Sequence, residues 1–313
     1  MTTSIKATEL FFAGLLLATV SHAATFYVTV AGLGGEPEYD QRFTSWAKDI
    51  DKILRTAPDA QVETLYGAAA SKAKIEGAIR EIASKAKPDD GVVIMLIGHG
   101  SFDGVDYKIN LPGPDLSAAE LAAMLNKLPS KRQLVVNMTS ASGGSLQALQ
   151  HENRVVVMAT KSGNEKNATI FARYWVEALR DPAADADKNE IVTALEAFKF
   201  AEQKTVKFYE SQNRIATEHA LLEDTGKGEA VRAPSPANGQ GLVAGRFPIL
   251  KLGAEQAKAS TPERQALLKK KEELELQVDQ LKYQKAATPT GEYRARMSGL
   301  LLELSKVQAE LDK

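Results

Sequence analysis

The sequence predicts an α/β protein with a mostly parallel sheet covered by helices on both faces, followed by an antiparallel, coiled-coil-like helical hairpin. The first observation is that short apolar runs rich in valine and isoleucine, such as 92–97 and 154–160, alternate with segments of helical periodicity. The second is heptad-like spacing of apolar residues among lysines and glutamates over 261–313. We therefore expect one large domain over 25–250 and a linker with the hairpin over 251–313.

Residues 1–23 have the pattern of a signal peptide. Lys6 precedes an apolar segment over 10–20, and residues 21–23 (Ser-His-Ala) place small residues at the first and third positions. The apolar segment is too short to span a bilayer. Glu9 is unusual in such a leader, so an uncleaved anchor is the alternative. We expect cleavage after residue 23 and a secreted or periplasmic protein without membrane attachment.

Composition bounds the class of protein. The 313 residues include 39 Lys and Arg against 40 Asp and Glu, which gives a formal net charge of -1. This balance argues against a nucleic-acid partner, because such proteins carry a basic surface. The apolar fraction of 44% is sufficient for one large core with an appendage. There is no cysteine, so the chain forms no disulfide and offers no thiol in any compartment.

The predicted elements of the domain alternate as expected of a parallel sheet with crossover helices. A strand over 25–31 ends in a glycine loop, and because no Gly-Lys-Ser/Thr follows, we expect a turn rather than a phosphate site. Ser117 and Glu120 form a capping box at one helix start. The other predicted elements are helix 43–57, strand 61–66, helix 71–87, strand 92–97, surface strand 105–109, strand 134–138, short helix 144–150, strand 154–160, and helices 168–180 and 192–213.

Two of these strands end in polar and small residues. The run 92–97 is followed by Gly98, His99 and Gly100, and the run beginning at Leu134 is followed by small residues that include Ser140. In parallel sheets, ligands bind in the crevice beyond the carboxyl ends of the strands. The sequence therefore predicts a functional site where these two strand tips meet.

A resemblance to a known family rests on these two tips. A strand ending in His-Gly, followed about forty residues later by a strand ending in a small residue, the nucleophile, any residue and Ser-Gly, resembles the caspase-like, legumain-type cysteine peptidases of the secreted bacterial branch. His99 matches their histidine, residues 142–143 match the Ser-Gly, and Ser140 stands in place of the catalytic cysteine. The resemblance implies a three-layer α/β/α caspase-like fold and a peptide or protein ligand.

The serine at the nucleophile position decides which chemistry is expected. A thiol has a pKa of about 8.5 and forms some thiolate unaided. A hydroxyl needs a base and a group that orients that base. Backbone donors on Gly100 and Ser140 would still suit a carbonyl or carboxylate. Two functions therefore stay open: a peptide-binding or scaffold pseudoenzyme, and an active endopeptidase using Ser140 and His99.

The surroundings of His99 distinguish the enzyme from the scaffold. An orienting carboxylate within hydrogen-bond reach of this histidine would favour the enzyme, and its absence would favour the scaffold. Asp103 is the nearby acidic candidate, although a role in a glycine-bounded turn is also expected for it. The resemblance further implies that Lys161 and Glu165, beyond the strand 154–160, help to bind substrate; the alternative is a solvated loop.

A second candidate site has the spacing of an EF-hand calcium loop. The sixth position, normally glycine, is Glu190, so we expect weak calcium binding. The alternative is an acidic helix N-terminus capped by Asp185 or Asp187. The expected ligands are Asp185, Asp187, Asn189, the Ile191 carbonyl, Thr193 and Glu196.

The C-terminal part is predicted to be a separate unit. Residues 229–241 are rich in Pro, Gly and Ala and form a loop, after which 242–250 return to the core. A helix begins at Thr261 and Pro262, and residues 288–291 separate it from a second amphipathic helix. We expect the two helices to pair with each other; docking on the domain and recruitment of a protein partner through 261–313 are the alternatives.

Overall fold

A computed structural model describes residues 23–57, 60–251 and 262–312. The predicted signal peptide, apart from its last residue, lies outside the described residues, as do 252–261 of the predicted linker.

The chain forms eleven described strands and eight described α-helices. The strands are β1 (Thr25–Ala31), β2 (Ala60–Leu65), β3 (Gly91–Ile97), β4 (Gly100–Phe102), β5 (Tyr107–Ile109), β6 (Leu116–Ser117), β7 (Arg132–Asn137), β8 (Arg154–Met158), β9 (Ile191–Thr193), β10 (Leu221–Glu223) and β11 (Pro248–Lys251). The helices are α1 (Pro37–Leu54), α2 (Lys72–Lys85), α3 (Ala118–Leu125), α4 (Leu146–Leu149), α5 (Phe171–Ala178), α6 (Ala194–Ser211), α7 (Pro262–Tyr283) and α8 (Thr290–Leu311).

A six-stranded sheet in the order β10-β8-β7-β3-β1-β2 forms the centre of the domain. Every neighbouring pair is parallel except β10 with β8. This confirms the mostly parallel sheet predicted from the alternation of strands and helices. Because β3 and β7 are adjacent and parallel, their carboxyl ends lie at the same edge of the sheet.

Both faces of the sheet are covered, which explains the uninterrupted apolar runs. In β3, Val93 and Met95 belong to one buried cluster, whereas Val92 and Ile94 belong to the other. Helices α1, α5 and α6 contribute to the first cluster, and α2, α3 and α4 to the second. A strand buried on both sides needs apolar residues at every position rather than at alternate ones. The structure thus confirms the three-layer α/β/α arrangement.

Several element boundaries differ from those predicted. Helix α1 begins at Pro37, where proline at the first helical position removes an amide that would have no partner. Of the predicted strand 105–109, only Tyr107–Ile109 form β5, which belongs to a three-stranded antiparallel sheet, β4-β5-β6, that starts at Gly100. The helix predicted from Val192 begins only at Ala194, because Ile191–Thr193 pair with β11. The predicted return of 242–250 to the core is confirmed by this pairing and by the burial of Ile249.

The C-terminal helices form the predicted hairpin. Helices α7 and α8, each of 22 residues, pair with each other through two apolar clusters. Leu274 contacts the end of α8 and Leu281 contacts its beginning, so the helices are antiparallel. No helix within the described ranges combines the length and apolar character that crossing a bilayer requires. The clusters are Leu274, Leu304, Val307 and Leu311, and Val278, Leu281, Tyr293 and Met297.

Polar contacts hold the hairpin to the domain. Glu275 on α7 lies 3.3 Å from Arg173 Nε, and the two side chains are only 4% and 5% exposed. Trp46 Nε1 also donates to Glu275 Oε1 at 3.3 Å. Asp49 on α1 pairs with Lys271 and accepts a hydrogen bond from Gln308 Nε2 at 3.1 Å. Docking of the hairpin on the domain therefore depends on buried ion pairs and hydrogen bonds. The apolar residues of α7 and α8 pack against each other.

We predict that Glu275→Gln weakens docking of the hairpin. The substitution removes the carboxylate that Glu275 contributes to a buried ion pair with Arg173, which costs about 3 kcal/mol. Urea denaturation should show this loss in the free energy of unfolding, and limited proteolysis should release α7 and α8 earlier. Glu273→Gln is the matched control, because Glu273 is exposed on the same helix. Equal behaviour of the two variants would contradict the docking role of Glu275.

Candidate active site

His99 follows β3 at the carboxyl edge of the sheet. Gly98 has a φ of 148°, a conformation that favours glycine, and it turns the chain out of the strand. The imidazole packs edge-on against Tyr39, at 4.7 Å between ring centroids, and against Phe43 at 5.3 Å. Both aromatic residues come from α1. The ring is thus half-buried and fixed by the helix that covers this face of the sheet.

Burial and local charges set the protonation of His99. Burial is the main cause that lowers its pKa below the usual value, and the Lys282 ammonium on α7 lowers it further. A hydrogen bond to the Gly34 carbonyl and the carboxylates of Asp40 and Glu36 act in the opposite direction. The lowering causes dominate, so the surroundings favour the neutral imidazole. The group that orients the ring is a backbone carbonyl.

The acidic residue considered from sequence does not orient His99. The Asp103 carboxylate accepts hydrogen bonds from the amides of Val105 and Asp106 at 2.9 and 2.8 Å, which lower its pKa and close a turn. The Asp40 carboxylate is hydrogen-bonded not to the His99 ring but to Gly34, whose amide donates to Asp40 Oδ1 at 2.6 Å. Within the described part of the chain, no carboxylate is hydrogen-bonded to the His99 ring. This is the arrangement expected of the scaffold rather than of the serine enzyme.

Ser140 lies just beyond β7 and is 2% exposed. Its Oγ accepts a hydrogen bond from the Gly100 amide at 3.0 Å and lies 3.1 Å from the Gly100 carbonyl, to which it donates. A hydroxyl has only one proton, so donation to this carbonyl leaves none for the His99 base. The Gly100 amide, an expected oxyanion donor, points at the same hydroxyl. The tips of β3 and β7 are thereby joined through Ser140.

Gly100 is required by this close approach. A Cβ atom at this position would lie 2.5 Å from the Ser140 carbonyl oxygen and 2.6 Å from the Tyr107 ring. Neither distance is compatible with van der Waals contact, and the first neighbour is backbone. Glycine is therefore required after His99 for steric reasons, because only glycine lets β4 start directly over the tip of β7.

A buried polar network behind Ser140 fixes the tip of β7. The Tyr107 hydroxyl donates to Asn137 Oδ1 at 3.1 Å and also contacts Thr139 Oγ1. Asn137 Nδ2 donates to Ser145 Oγ at 3.1 Å. Burial raises the pKa of Tyr107 to about 12, so the phenol remains a neutral donor. Sequence analysis missed this network; an asparagine ending an apolar strand was its only signal.

The Ser-Gly pair ties β7 to β8. Ser142 Oγ accepts from the Thr160 amide at 3.0 Å, and Thr160 Oγ1 accepts from the Gly143 amide at 2.9 Å. A Cβ on Gly143 would lie 2.3 Å from the Ser162 amide nitrogen. Ala141 adopts a φ of 56° between Ser140 and this pair. The tight turn after Ser140 therefore results from direct contact between the tips of β7 and β8.

Lys161 and Glu165 also lie at this edge, with different surroundings. The Glu165 carboxylate accepts hydrogen bonds from the amides of Lys161 and His219 at 2.9 and 3.1 Å, and it contacts the His219 ring. The Glu165 carbonyl accepts from the Ala141 amide at 2.8 Å. Glu165 is thus occupied in holding the turn after Ser140. The Lys161 side chain is 56% exposed, and its Nζ lies 3.6 Å from Glu165 Oε1.

The loop predicted to bind calcium lies between α5 and α6. Carboxylate oxygens of Asp185, Asp187 and Glu196 all lie within 4.8 Å of one another. Glu190 has a φ of 63°, so the sixth loop position adopts the left-handed conformation that glycine normally provides. The carboxylates of the predicted set therefore converge in space as well as in sequence.

The other expected ligands take part in the loop's own hydrogen bonds. Asn189 Oδ1 accepts from the Ile191 amide at 2.8 Å, and Ile191 belongs to β9. Thr193 is the N-cap of α6 and forms a capping box with Glu196. The alternative, in which Asp185 or Asp187 caps this helix, is therefore wrong, because the Thr193 hydroxyl directly before the helix fills that role.

The fold and the strand tips define an α/β/α protein in which His99 and Ser140 follow two adjacent parallel strands at the same edge of the sheet. Residues 55–219, slightly more than half of the chain, match the model of the Peptidase C13 family. The chain belongs to this family, which confirms the legumain-type relationship. The matched segment includes His99 and Ser140, and it ends before the C-terminal hairpin.

Solved structures share a distant likeness with this chain. A protein from Geobacter sulfurreducens is 15% identical, with 74% of this chain and 99% of that chain covered and a TM-score of 0.45. Caspase-1 from Spodoptera frugiperda is 12% identical, with 65% of this chain and 87% of that chain covered and a TM-score of 0.43. The Drosophila initiator caspase Dronc is 10% identical, with 67% of this chain and 82% of that chain covered and a TM-score of 0.39. No curated protein matches the chain.

We predict that Ser140→Ala destabilises the fold. The substitution leaves the Gly100 amide and carbonyl without their partner, and an unsatisfied buried group costs about 1 kcal/mol or more. The midpoint of urea denaturation should fall accordingly. Ser162→Ala is the control, because its hydroxyl accepts a single hydrogen bond from the exposed residue Asn164. A midpoint for Ser140→Ala as high as that of the control would show that the hydroxyl does not support the strand tips.

Proposed function

We propose that this chain is a secreted, catalytically impaired peptidase homologue, which binds a peptide or protein segment at the strand tips without cleaving it. The observation that carries the proposal is the pair of hydrogen bonds between Ser140 Oγ and the Gly100 backbone. The same bonds that stabilise the site engage the proton that a serine nucleophile would have to transfer to His99.

The state of His99 supports the loss of turnover. A serine peptidase uses a carboxylate to hold the imidazole in the reactive tautomer and to stabilise its charged form. Here the Gly34 carbonyl orients the ring, while burial and Lys282 lower its pKa. The formation of an imidazolium during catalysis is therefore disfavoured. A cysteine would depend less on this base, because a thiolate forms more readily than an alkoxide.

Several features suit peptide binding. Lys161, exposed beyond β8, is a proposed contact for a peptide carbonyl or carboxylate. Val105, in the turn between β4 and β5, is an 83% exposed apolar side chain on the hairpin that begins at Gly100. The turn after Ser140 is fixed by Glu165 and Thr160, so this part of the sheet edge would need no reordering when a ligand binds. Secretion is part of the proposal and is supported by the signal-peptide pattern of the sequence.

We predict that the mature protein binds members of a broad peptide library but cleaves none. Mass spectrometry of the incubated library should show no new termini, while affinity selection on the immobilised protein should enrich a subset of peptides. Cleavage that disappears in Ser140→Ala would overturn the proposal in favour of the active endopeptidase.

Ser140→Cys is the matched gain-of-function variant, because the parent chain has no other thiol. The Gly100 amide that now faces the hydroxyl would favour a thiolate, so alkylation should have an inflection at lower pH than in the control Ser162→Cys. Restored cleavage would show that the nucleophile is the missing component. Identical alkylation profiles would contradict a nucleophile-like environment at residue 140.

We also propose weak calcium binding by the loop from Asp185 to Glu196. It is supported by the convergence of three carboxylates and by the positive φ of Glu190. Holding a non-glycine residue in that conformation costs about 1 kcal/mol or more, which fits an affinity in the millimolar range of extracellular modules. Binding to the native state alone stabilises it by mass action.

We predict that millimolar calcium raises the melting temperature of the mature protein. The increase should disappear in Asp187→Ala, which removes a carboxylate from the cluster. It should persist in Glu190→Gln, since that side chain is not among the converging groups. An unchanged melting temperature at saturating calcium would rule the site out.

A further inference from the structure

The beginning of α1 carries an acidic cluster beside His99. Glu36 is the N-cap residue of this helix, and Glu38 and Asp40 follow in its first turn. Tyr39 lies between the last two, and its ring packs edge-on against the imidazole at 4.7 Å between ring centroids. Carboxylates near an imidazole favour its protonated form, because opposite charges attract. The domain by itself therefore surrounds His99 with groups that would charge it.

The docked hairpin brings two lysines to this acidic cluster. Lys282, near the end of α7, has its Nζ 3.7 Å from Glu38 Oε1, and both side chains are largely buried. The Lys282 ammonium also lies over the Tyr39 ring, 2.8 Å from its centroid. Lys285, between α7 and α8, lies 3.2 Å from Glu36 Oε1. Each of these two carboxylates thus has an ammonium partner that only the docked hairpin supplies.

The contacts of the hairpin act on His99 in one direction. Burial is the main cause that lowers the pKa of the ring, and the Lys282 ammonium lowers it as well, whereas Asp40 and Glu36 raise it. If the hairpin moved away, the repulsion by Lys282 would be lost. The carboxylates of Glu36 and Glu38 would then act on the ring without their ammonium partners. Both changes favour the imidazolium.

We propose that the docked hairpin regulates the acid–base state of the strand-tip site, because Lys282 and Lys285 favour the neutral form of His99. This inference rests on the proposed function, which assigns His99 to the site. Docking itself depends on other residues, such as the buried pair of Glu275 and Arg173. The position of the hairpin and the charges beside the imidazole can therefore be varied separately.

Regulation of this kind gives the site two charge states. With the hairpin docked, the imidazole at the carboxyl edge of the sheet is held neutral and adds no charge to the proposed peptide site. With the hairpin displaced, a larger fraction of His99 is positively charged near neutral pH and attracts acidic segments. A ligand that binds the hairpin and favours its undocked position would therefore shift the preference of the site towards acidic peptides.

The test is an NMR titration of the mature full-length protein without any peptide. The His99 signal is identified by its absence in His99→Gln. Lys282→Met keeps an apolar stem against the Tyr39 ring but removes the charge, so the protonation midpoint of His99 should rise by about 0.5 pH units or more. Lys270→Met is the matched control, because Lys270 is exposed on the same helix, and it should leave the midpoint unchanged.

A variant of opposite sign and a variant of docking complete the test. Glu36→Gln removes an attracting carboxylate and should lower the His99 midpoint. Glu275→Arg sets two guanidinium groups against each other and should undock the hairpin, which limited proteolysis monitors. Glu275 is not among the groups that act on the imidazole, so a raised midpoint in this variant reports undocking. Glu273→Arg, on the exposed side of α7, is its control.

Three outcomes would overturn the proposal. They are equal midpoints in Lys282→Met and Lys270→Met, a midpoint that falls in Lys282→Met, and a hairpin released in Glu275→Arg without a rise of the midpoint. None of them bears on peptide binding without cleavage, because the titration contains no peptide. Failure of the regulatory role is thus distinguishable from failure of the proposed function, which the peptide library tests.

Discussion

The parallel pairing of β3 with β7 is the constraint on which the candidate site depends. Its register sets Leu96 opposite Asn137, so both strands end at the same level. The chain beyond each strand then has backbone groups that the sheet no longer satisfies. The Ser140 hydroxyl accepts from one of them and donates to another, both on Gly100. The Ser140 hydroxyl therefore cannot both keep these hydrogen bonds at the strand ends and give up its proton as a nucleophile.

The fold was largely predictable because its signals are local. Strands buried on both faces give continuous apolar runs, such as 92–97, and the crossover helices give apolar residues at helical spacing. The heptad-like pattern of 261–313 likewise predicts a hairpin, because each helix uses its apolar stripe against the other. Boundaries were less predictable where a tertiary contact intervened: the pattern predicts a helix from Val192, but Ile191–Thr193 pair with β11 as a strand and the helix begins at Ala194.

The positions of His99 and Ser140 at neighbouring strand ends were predictable, but their hydrogen bonds were not. His99 and Ser140 follow from strand tips that a single sequence shows. Two side chains at this edge of the sheet have partners that are distant in the sequence. His99 is hydrogen-bonded to Gly34, and Glu165 contacts His219. Residue types also gave no indication that Lys282 would reach the surroundings of His99. Such contacts depend on the packing of α1 and α7, which no local pattern specifies.

The polar docking surface of the hairpin has a consequence for how such a chain could have been assembled. An appendage that buried a large apolar surface of the domain would be obligatory, because its removal would expose that surface to water. Here the facing groups include Asp49 and Arg173, which water solvates well once they are uncovered. The hairpin has its own apolar seam and the domain has its own core. Loss of this appendage would therefore uncover charged groups together with the Trp46 ring, and not an apolar surface alone.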